Sequence, residues 1–103
     1  MLFLGGKNLP KLQFVEKRIF DIENFQVVFR DKDGKDIRSD LMLPKQYEAE
    51  RMTRNSMSVS DFKAKVKKQF PGYELDVLNG DGIPARGQTK LSTVRDTYLT
   101  SSE

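Results

Sequence analysis

Residues 58–70, SVSDFKAKVKKQF, carry the clearest structural signal in the chain. Their large apolar residues recur at three- and four-residue spacings, which is typical of a helix with one buried stripe. These residues are Val59, Phe62, Val66 and Phe70. Ser58 can accept from the first-turn N–H groups, Asp61 favours the positive end of the helix dipole, and Pro71-Gly72 ends the helix. The pattern predicts a helix from Ser58 to Phe70.

Two further elements follow this helix. Residues 73–77, YELDV, alternate apolar and acidic side chains, as does a strand with one face in water. Asn79-Gly80-Asp81-Gly82 then predicts a turn. Residues 91–99 contain a last apolar set, and its spacing is compatible with either a helix or an extended segment.

Upstream of the helix, residues 25–43 predict a β-hairpin. Phe25, Val27 and Phe29 alternate with other residues, Asp33-Gly34 can form a turn with positive φ, and apolar residues resume at position 37. Residues 45–57 are polar and predict a solvated helical turn or loop. Residues 12–22 have a mixed apolar pattern that suggests one or two short strands with a kink. We detect no internal repeat.

The chain's size and composition favour one globular domain. It has 103 residues, 37% of them hydrophobic, and no cysteine, which excludes disulfides and argues for a cytoplasmic setting. Residues 1–4 are apolar but too few for a signal peptide or a membrane span. Within residues 1–103 we expect a loose segment over 1–11, a core over 25–99 and a frayed tail over 100–103.

Several of these segments together resemble the ubiquitin-like, or β-grasp, family. They are FQVVFRDKDGKDI, SVSDFKAKVKK, YELDVLNGDG and GQTKLSTV, between residues 25 and 94. The family has a hairpin with a Gly-Lys turn, a helix opened by Ser or Thr, a strand running into a Gly turn, and a segment carrying Gly, Thr and Leu, in that order. The helix segment is the most specific part of the match.

The resemblance implies an α+β fold in which a mixed sheet packs on one main helix, with an N-terminal extension. Residues 94–100 or 12–22 would then complete the sheet. The chain ends with Thr100-Ser101-Ser102-Glu103, without the Gly-Gly that ubiquitin uses for conjugation. We therefore expect an interaction module rather than a conjugated modifier.

The residue types present give little support for catalysis or metal binding. The chain has no histidine and no cysteine, so the commonest general base and the thiolate nucleophile are both missing. An aspartate cluster at residues 31, 33, 36 and 40 lacks the spacing of an EF-hand, and turn chemistry explains it. We expect no enzyme activity, no metal and no cofactor.

The basic residues are the remaining candidates for a binding surface, since the formal net charge is +3. The candidate set is Arg51, Arg54, Lys63, Lys65, Lys67 and Lys68. A second set could lie beside it and consists of Lys7, Lys11, Lys17 and Arg18. A solvated helix face is the simpler explanation of the lysines. Converging sets would contact phosphates or an acidic protein.

Our leading hypothesis is a non-catalytic adaptor, inhibitor or small subunit that binds another protein, with no membrane partner. The alternative is a nucleic-acid-binding accessory protein that uses the basic helix face. A third possibility is a small regulatory subunit of a multicomponent enzyme.

Overall fold

The structure, a computed structural model, describes residues 9–100, with the side chain of Thr100 left aside. Its elements in chain order are α1 Leu12–Glu23, β1 Gln26–Asp31, α2 Val59–Gln69, β2 Tyr73–Leu78 and α3 Leu91–Thr100. The α+β class is therefore confirmed. The described residues form a two-stranded antiparallel sheet rather than the predicted mixed sheet, and the β-grasp arrangement is not confirmed. Residues 1–8 and 101–103 lie outside the described residues.

Helix α2 forms where the sequence predicted it. The Ser58 side chain accepts from the Asp61 backbone N–H at 3.1 Å and caps the first turn. The predicted apolar stripe is fully buried, from Val59 to Phe70. The Phe62 ring packs edge-on against the ring of Phe25, with centroids 5.0 Å apart. The helix therefore anchors the core.

The sheet covers this core with one of its faces. Strands β1 and β2 pair so that Val27 lies opposite Val77 and Phe29 lies opposite Leu75. All four side chains are buried beneath the helices. The side chains at the alternate positions, among them Val28 and Asp76, form the outer face of the sheet and are half-exposed. The predicted strand over residues 73–77 is confirmed.

The prediction of strands over residues 12–22 is wrong, because this segment is helix α1. Its buried positions, Leu12, Val15, Ile19 and Glu23, recur at three- and four-residue spacings. The helix ends at Asn24, whose φ of 66° is left-handed and whose N–H donates to the Phe20 carbonyl. Helix α1 therefore belongs to the core, which begins before the expected start at residue 25.

The predicted hairpin forms only in part. A turn follows β1, and Gly34 adopts a φ of 83° there. Beyond the turn a single bridge joins Arg30 to Asp36, and residues 37–43 form no named strand. The neighbour of β1 in the sheet is β2. Residues 91–99, for which both conformations were open, belong to helix α3.

The described chain contains an internal repeat that we did not detect in the sequence. Residues 10–43, the first half, and residues 57–91, the second half, each form a helix, a strand, a turn and an extended segment. The isolated bridges occur as matched pairs, Lys11–Met42 with Ser58–Lys90 and Arg30–Asp36 with Leu78–Pro84. Val28 and Asp76, which are equivalent in this match, pair at the middle of the sheet. The two halves are thus related by an approximate two-fold axis.

Backbone hydrogen bonds at the two helix starts repeat in the same way. The N–H of Leu12 donates to the Leu41 carbonyl at 2.7 Å, and the N–H of Val59 donates to the Thr89 carbonyl at 2.8 Å. This match aligns identical residues at Asp33 and Asp81, Gly34 and Gly82, Arg38 and Arg86, and Leu43 and Leu91. Three of these four identical pairs are exposed, whereas buried helix positions differ, as Glu23 and Phe70 do, which explains why the repeat is hard to see in the sequence.

Residues 44–56, the connector, join the two halves. Of the helical turn or loop predicted over residues 45–57, the structure shows a loop, in which Tyr47 and Thr53 are buried rather than solvated. The Arg18 Nε donates to the Tyr47 carbonyl at 3.1 Å, and the Glu48 N–H donates to Gln69 Oε1 at 2.8 Å. The connector is therefore held to α1 and to α2.

Within residues 9–100, every helix is too short or too polar to cross a bilayer.

Candidate functional site

The carboxylate of Glu23, at the last turn of α1, is fully buried. Its two oxygens accept from the Tyr47 hydroxyl at 2.6 Å, from the Thr53 N–H at 2.8 Å and from the Thr53 hydroxyl at 2.9 Å. The equivalent position in the second half is Phe70, an ordinary core residue. Because burying a charge is costly unless it is paired, this substitution needs a compensating cation.

Arg95 of α3 supplies that cation. Its NH2 group lies 2.9 Å from Glu23 Oε1, its Nε donates to the Glu23 carbonyl at 2.7 Å, and its NH1 donates to Asn55 Oδ1 at 2.7 Å. The guanidinium also stacks on the Phe25 ring, 5.2 Å from the centroid. Burial lowers the pKa of Arg95, and Glu23 opposes that shift. The pair ties the end of α1 to α3.

The network extends to α2 through Thr53. Lys65 Nζ donates to the Thr53 hydroxyl oxygen at 2.9 Å and lies 6.0 Å from the centroid of the Phe62 ring. Burial, and then the hydrogen bond to Glu23, raise the pKa of the Tyr47 hydroxyl well above its ordinary value. Tyr47 therefore stays protonated at neutral pH. The network joins all three helices and the connector.

A groove of about 540 Å³ lies beside this network, between α1, the connector and α3. We call it the α1–α3 groove. Its lining includes Phe20, Met52, Asn55, Arg95, Tyr98 and Leu99. Phe20 is 44% exposed and Met52 is 45% exposed, which is high for large apolar side chains. The groove therefore combines exposed apolar side chains with polar and charged ones, which include Asp96 as well as Arg95.

Two contacts hold the walls of the groove in place. The Asn24 amide nitrogen lies 3.3 Å from Met52 Sδ, which links the connector to the end of α1. The Phe20 and Tyr98 rings meet edge-on with centroids 6.3 Å apart, which links α1 to α3. Gly80 lies against the Thr97 carbonyl so closely that a Cβ atom could not fit. The groove is thus built into the fold.

The predicted basic residues of α2 fall on two sides of that helix. Lys65 faces the connector, whereas Lys67 faces β2 and pairs with Glu74 at 3.0 Å. By helical spacing, Lys68 lies on the side of Lys65, and Lys63 lies on the side of Lys67. The four lysines therefore do not form one continuous face.

The other predicted cations are also divided. Arg51 and Arg54 are exposed on the connector, on either side of Met52. In the second set, Lys17 pairs with Asp21 at 3.1 Å and Arg18 bonds connector carbonyls. Lys11 is exposed at the start of α1, and Lys7 lies outside the described residues. Four predicted residues lie at one feature, the connector: Arg51, Arg54 and Lys65 of the first set and Arg18 of the second.

The aspartate and asparagine turns have a structural explanation. Asp31 Oδ1 accepts from the N–H groups of Asp33 at 2.8 Å and Lys35 at 2.9 Å. Asn79 Oδ1 accepts in the same way from the N–H groups of Asp81 and Ile83. Over residues 9–100 no group of three or more acidic side chains is placed to hold a metal ion.

Sequence reasoning missed Phe20, Met52 and the Glu23–Arg95 pair. The signal for Glu23 was its place at the fourth position of a helical stripe that is otherwise apolar, where a charge demands a distant partner.

No protein-family model matches this chain, and neither a curated protein nor a solved structure matches it.

Proposed function

We propose that the protein is a non-catalytic interaction module that binds another protein through the α1–α3 groove. The observation that carries this proposal is the pair of exposed side chains Phe20 and Met52 on a groove whose walls are fixed by internal contacts. Large apolar side chains that rim a preformed groove are typical of a protein-binding site. The ubiquitin-like resemblance remains a separate prediction and does not enter this proposal.

A photoreactive side chain introduced at Met52 tests the proposal. Met42 is the matched control, because it is 52% exposed and lies at the other end of α1, where its backbone bridges to Lys11. In an extract of the producing cells, we expect the Met52 probe to form a discrete protein adduct that the Met42 probe does not form. Equal adducts from both positions, or none from Met52, would contradict the proposal.

Nucleic-acid binding is the second candidate. It is favoured by Arg51, Arg54 and Lys68, which are exposed and for which no ion pair is seen among the described residues. The division of the α2 lysines between two sides of the helix argues against this candidate. Phosphate contacts would make binding fall steeply with salt. A flat salt dependence, or unchanged affinity after Arg54→Glu with Lys68→Glu, would exclude this candidate.

A further inference from the structure

We infer that Asn79 is a deamidation site that helix α3 keeps closed. Its side-chain amide can then become a carboxylate only when α3 moves away from the end of β2. The inference goes beyond the proposed function and does not depend on it. It follows from the sequence at the turn after β2, from the contacts of that turn with α3, and from the equivalent turn of the first half.

The sequence at this turn suits the reaction. In deamidation the backbone nitrogen of the next residue attacks the asparagine Cγ, a C–N bond forms, and the side-chain nitrogen leaves as ammonia with the proton of that N–H. Water then opens the cyclic succinimide to aspartate or isoaspartate. Glycine leaves the attacking nitrogen most accessible, because it has no Cβ. The chain has asparagine at positions 8, 24, 55 and 79, and only Asn79 precedes a glycine.

The peptide unit that must react is held at both ends. Its carbonyl, which belongs to Asn79, accepts from the Gly82 N–H at 2.9 Å. Its N–H, which belongs to Gly80, donates to Thr97 Oγ1 of α3 at 2.7 Å. To bring the Gly80 nitrogen onto Cγ, the unit must turn about the Cα–C bond of Asn79. That rotation breaks both hydrogen bonds.

Steric contact with α3 also opposes this rotation. A Cβ built on Gly80 would lie 2.3 Å from the Thr97 carbonyl oxygen, so the glycine lies directly against the backbone of α3. Close-packed atoms leave little room for the peptide unit to turn. Reaction at Asn79 therefore requires α3 to move first.

The first half contains the same turn without this restraint on the nitrogen. The Gly34 N–H donates to the Asp31 carbonyl at 2.9 Å, and the φ of Gly34, 83°, is close to the 78° of Gly82. Lys32, the equivalent of Gly80, is exposed, and within residues 9–100 no hydrogen bond from its N–H is seen. The turn itself does not hold this nitrogen, so the restraint at Gly80 comes from α3.

Contacts within the turn would even favour the reaction once α3 moves. Asn79 Oδ1 accepts from the N–H groups of Asp81 at 2.9 Å and Ile83 at 3.1 Å. Such donors stabilise the negative oxygen that forms when a carbonyl is attacked. Because local opening of an end element needs less free energy than global unfolding, the rate at Asn79 measures how often α3 leaves its place.

The test compares two turns in one molecule. Asp31→Asn with Lys32→Gly copies the sequence of residues 79–82, NGDG, into residues 31–34. The folded protein is kept in mildly alkaline buffer, and mass spectrometry follows deamidation in the tryptic peptides 31–35 and 69–86. We expect the first turn to react at least about 10-fold faster than Asn79, because a protected site reacts only in its open fraction.

The same protein in urea supplies the reference. Both turns have the same local sequence, so without the fold they should react at rates within about threefold of each other. Urea should raise the rate at Asn79 by at least about 10-fold, since unfolding removes α3 from the turn.

The role of α3 is tested separately at Thr97. Thr97→Val removes the acceptor of the Gly80 N–H and should raise the rate at Asn79 by about 5-fold, the loss expected for one hydrogen bond. Thr97→Ser keeps the hydroxyl and should leave the rate within about twofold. Thr93→Val, at an exposed position of the same helix, is the matched control and should leave the rate unchanged. Circular dichroism verifies that each variant folds.

Three results would overturn the inference. Equal rates at the two turns of the folded protein would show that α3 gives no protection. A rate at Asn79 that urea does not raise would show that the fold does not limit the reaction. An unchanged rate in Thr97→Val, with the variant folded, would show that the hydrogen bond to α3 does not hold the nitrogen.

Discussion

Glu23 and Arg95 form a buried ion pair, with 2.9 Å between Oε1 and NH2, across the junction of α1 and α3. The pair stands where the second half has the apolar Phe70. Such a pair gives little net stability compared with apolar packing, but it favours one geometry, because each group is the buried counter-charge of the other. The pair thus ties α3 to the end of α1, and Arg95 also lines the α1–α3 groove.

Removing one member of this pair should be strongly destabilising. We expect Glu23→Gln to lower the free energy of unfolding by about 3 kcal/mol, because Arg95 is left buried without a counter-charge. Urea denaturation measures the change. Asp21→Asn, which breaks an exposed pair on the same helix, should cost less than about 0.5 kcal/mol. Similar losses for the two variants would contradict the structural role of the buried pair.

Gly80 should resist substitution for a reason different from that of the turn glycines. A Cβ at Gly80 would clash with the Thr97 backbone, whereas a Cβ at Gly34 meets no atom and only the φ of 83° opposes it. We expect Gly80→Ala to lower the free energy of unfolding by about 2–3 kcal/mol and Gly34→Ala by about 1 kcal/mol. Thermal melts check this prediction, because Gly80→Ala should melt at a lower temperature than Gly34→Ala.

The cap of α2 can be tested with two neighbouring serines. Ser58→Ala removes the side-chain acceptor of the Asp61 N–H and should cost about 1 kcal/mol of unfolding free energy. Ser56→Ala, in the exposed connector, should change it by less than about 0.5 kcal/mol. A neutral Ser58→Ala would show that water replaces the cap without loss.

Glu16 should give the stability a pH dependence. Burial raises the pKa of its carboxyl, while the hydrogen bond from the Phe29 N–H and the nearby Arg30 oppose the shift. The folded protein therefore binds this proton more tightly than the unfolded chain does. Its contribution is present below the unfolded pKa, near 4.5, and is lost as the pH rises through the folded pKa.

Glu16→Gln removes this ionisation and keeps an oxygen for the Phe29 N–H. We expect the variant to lose less stability than the parent protein as the pH rises above about 4.5. Thermal melts at a series of pH values measure the difference. Asp21→Asn serves as the exposed control and should not reproduce it. A steeper loss of stability in Glu16→Gln would contradict the assignment.

Local signals predicted the second half of the fold well. The stripe of α2, its Ser58 cap and the alternation of β2 all lie in contiguous sequence and agree with the structure. Helix α1 obeys the same spacing, but the charged Glu23 completes its buried stripe while Phe14 and Phe20 point outward. Because of these three residues, the apolar positions of the segment do not follow one helical spacing, and the pattern is mixed.

Local sequence signals could not predict the candidate site. Phe20, Met52 and Arg95 come from three separate segments, and each is unremarkable among its sequence neighbours. The strand partner of β1 was misassigned for a related reason, because the turn after β1 is real but pairing with β2 buries Val27 and Phe29 against Val77 and Leu75. Tertiary packing overrode the local hairpin preference.

The pairing of Val28 with Asp76 at the centre of the sheet also constrains how the chain acquires its shape. Every residue pair between β1 and β2 spans the connector and α2, so closing the sheet carries the entropic cost of closing a long loop. Chains dominated by such distant contacts fold slowly for their size. Strand docking should therefore be a late event in folding, with amide protons in β1 and β2 gaining protection after those in α2.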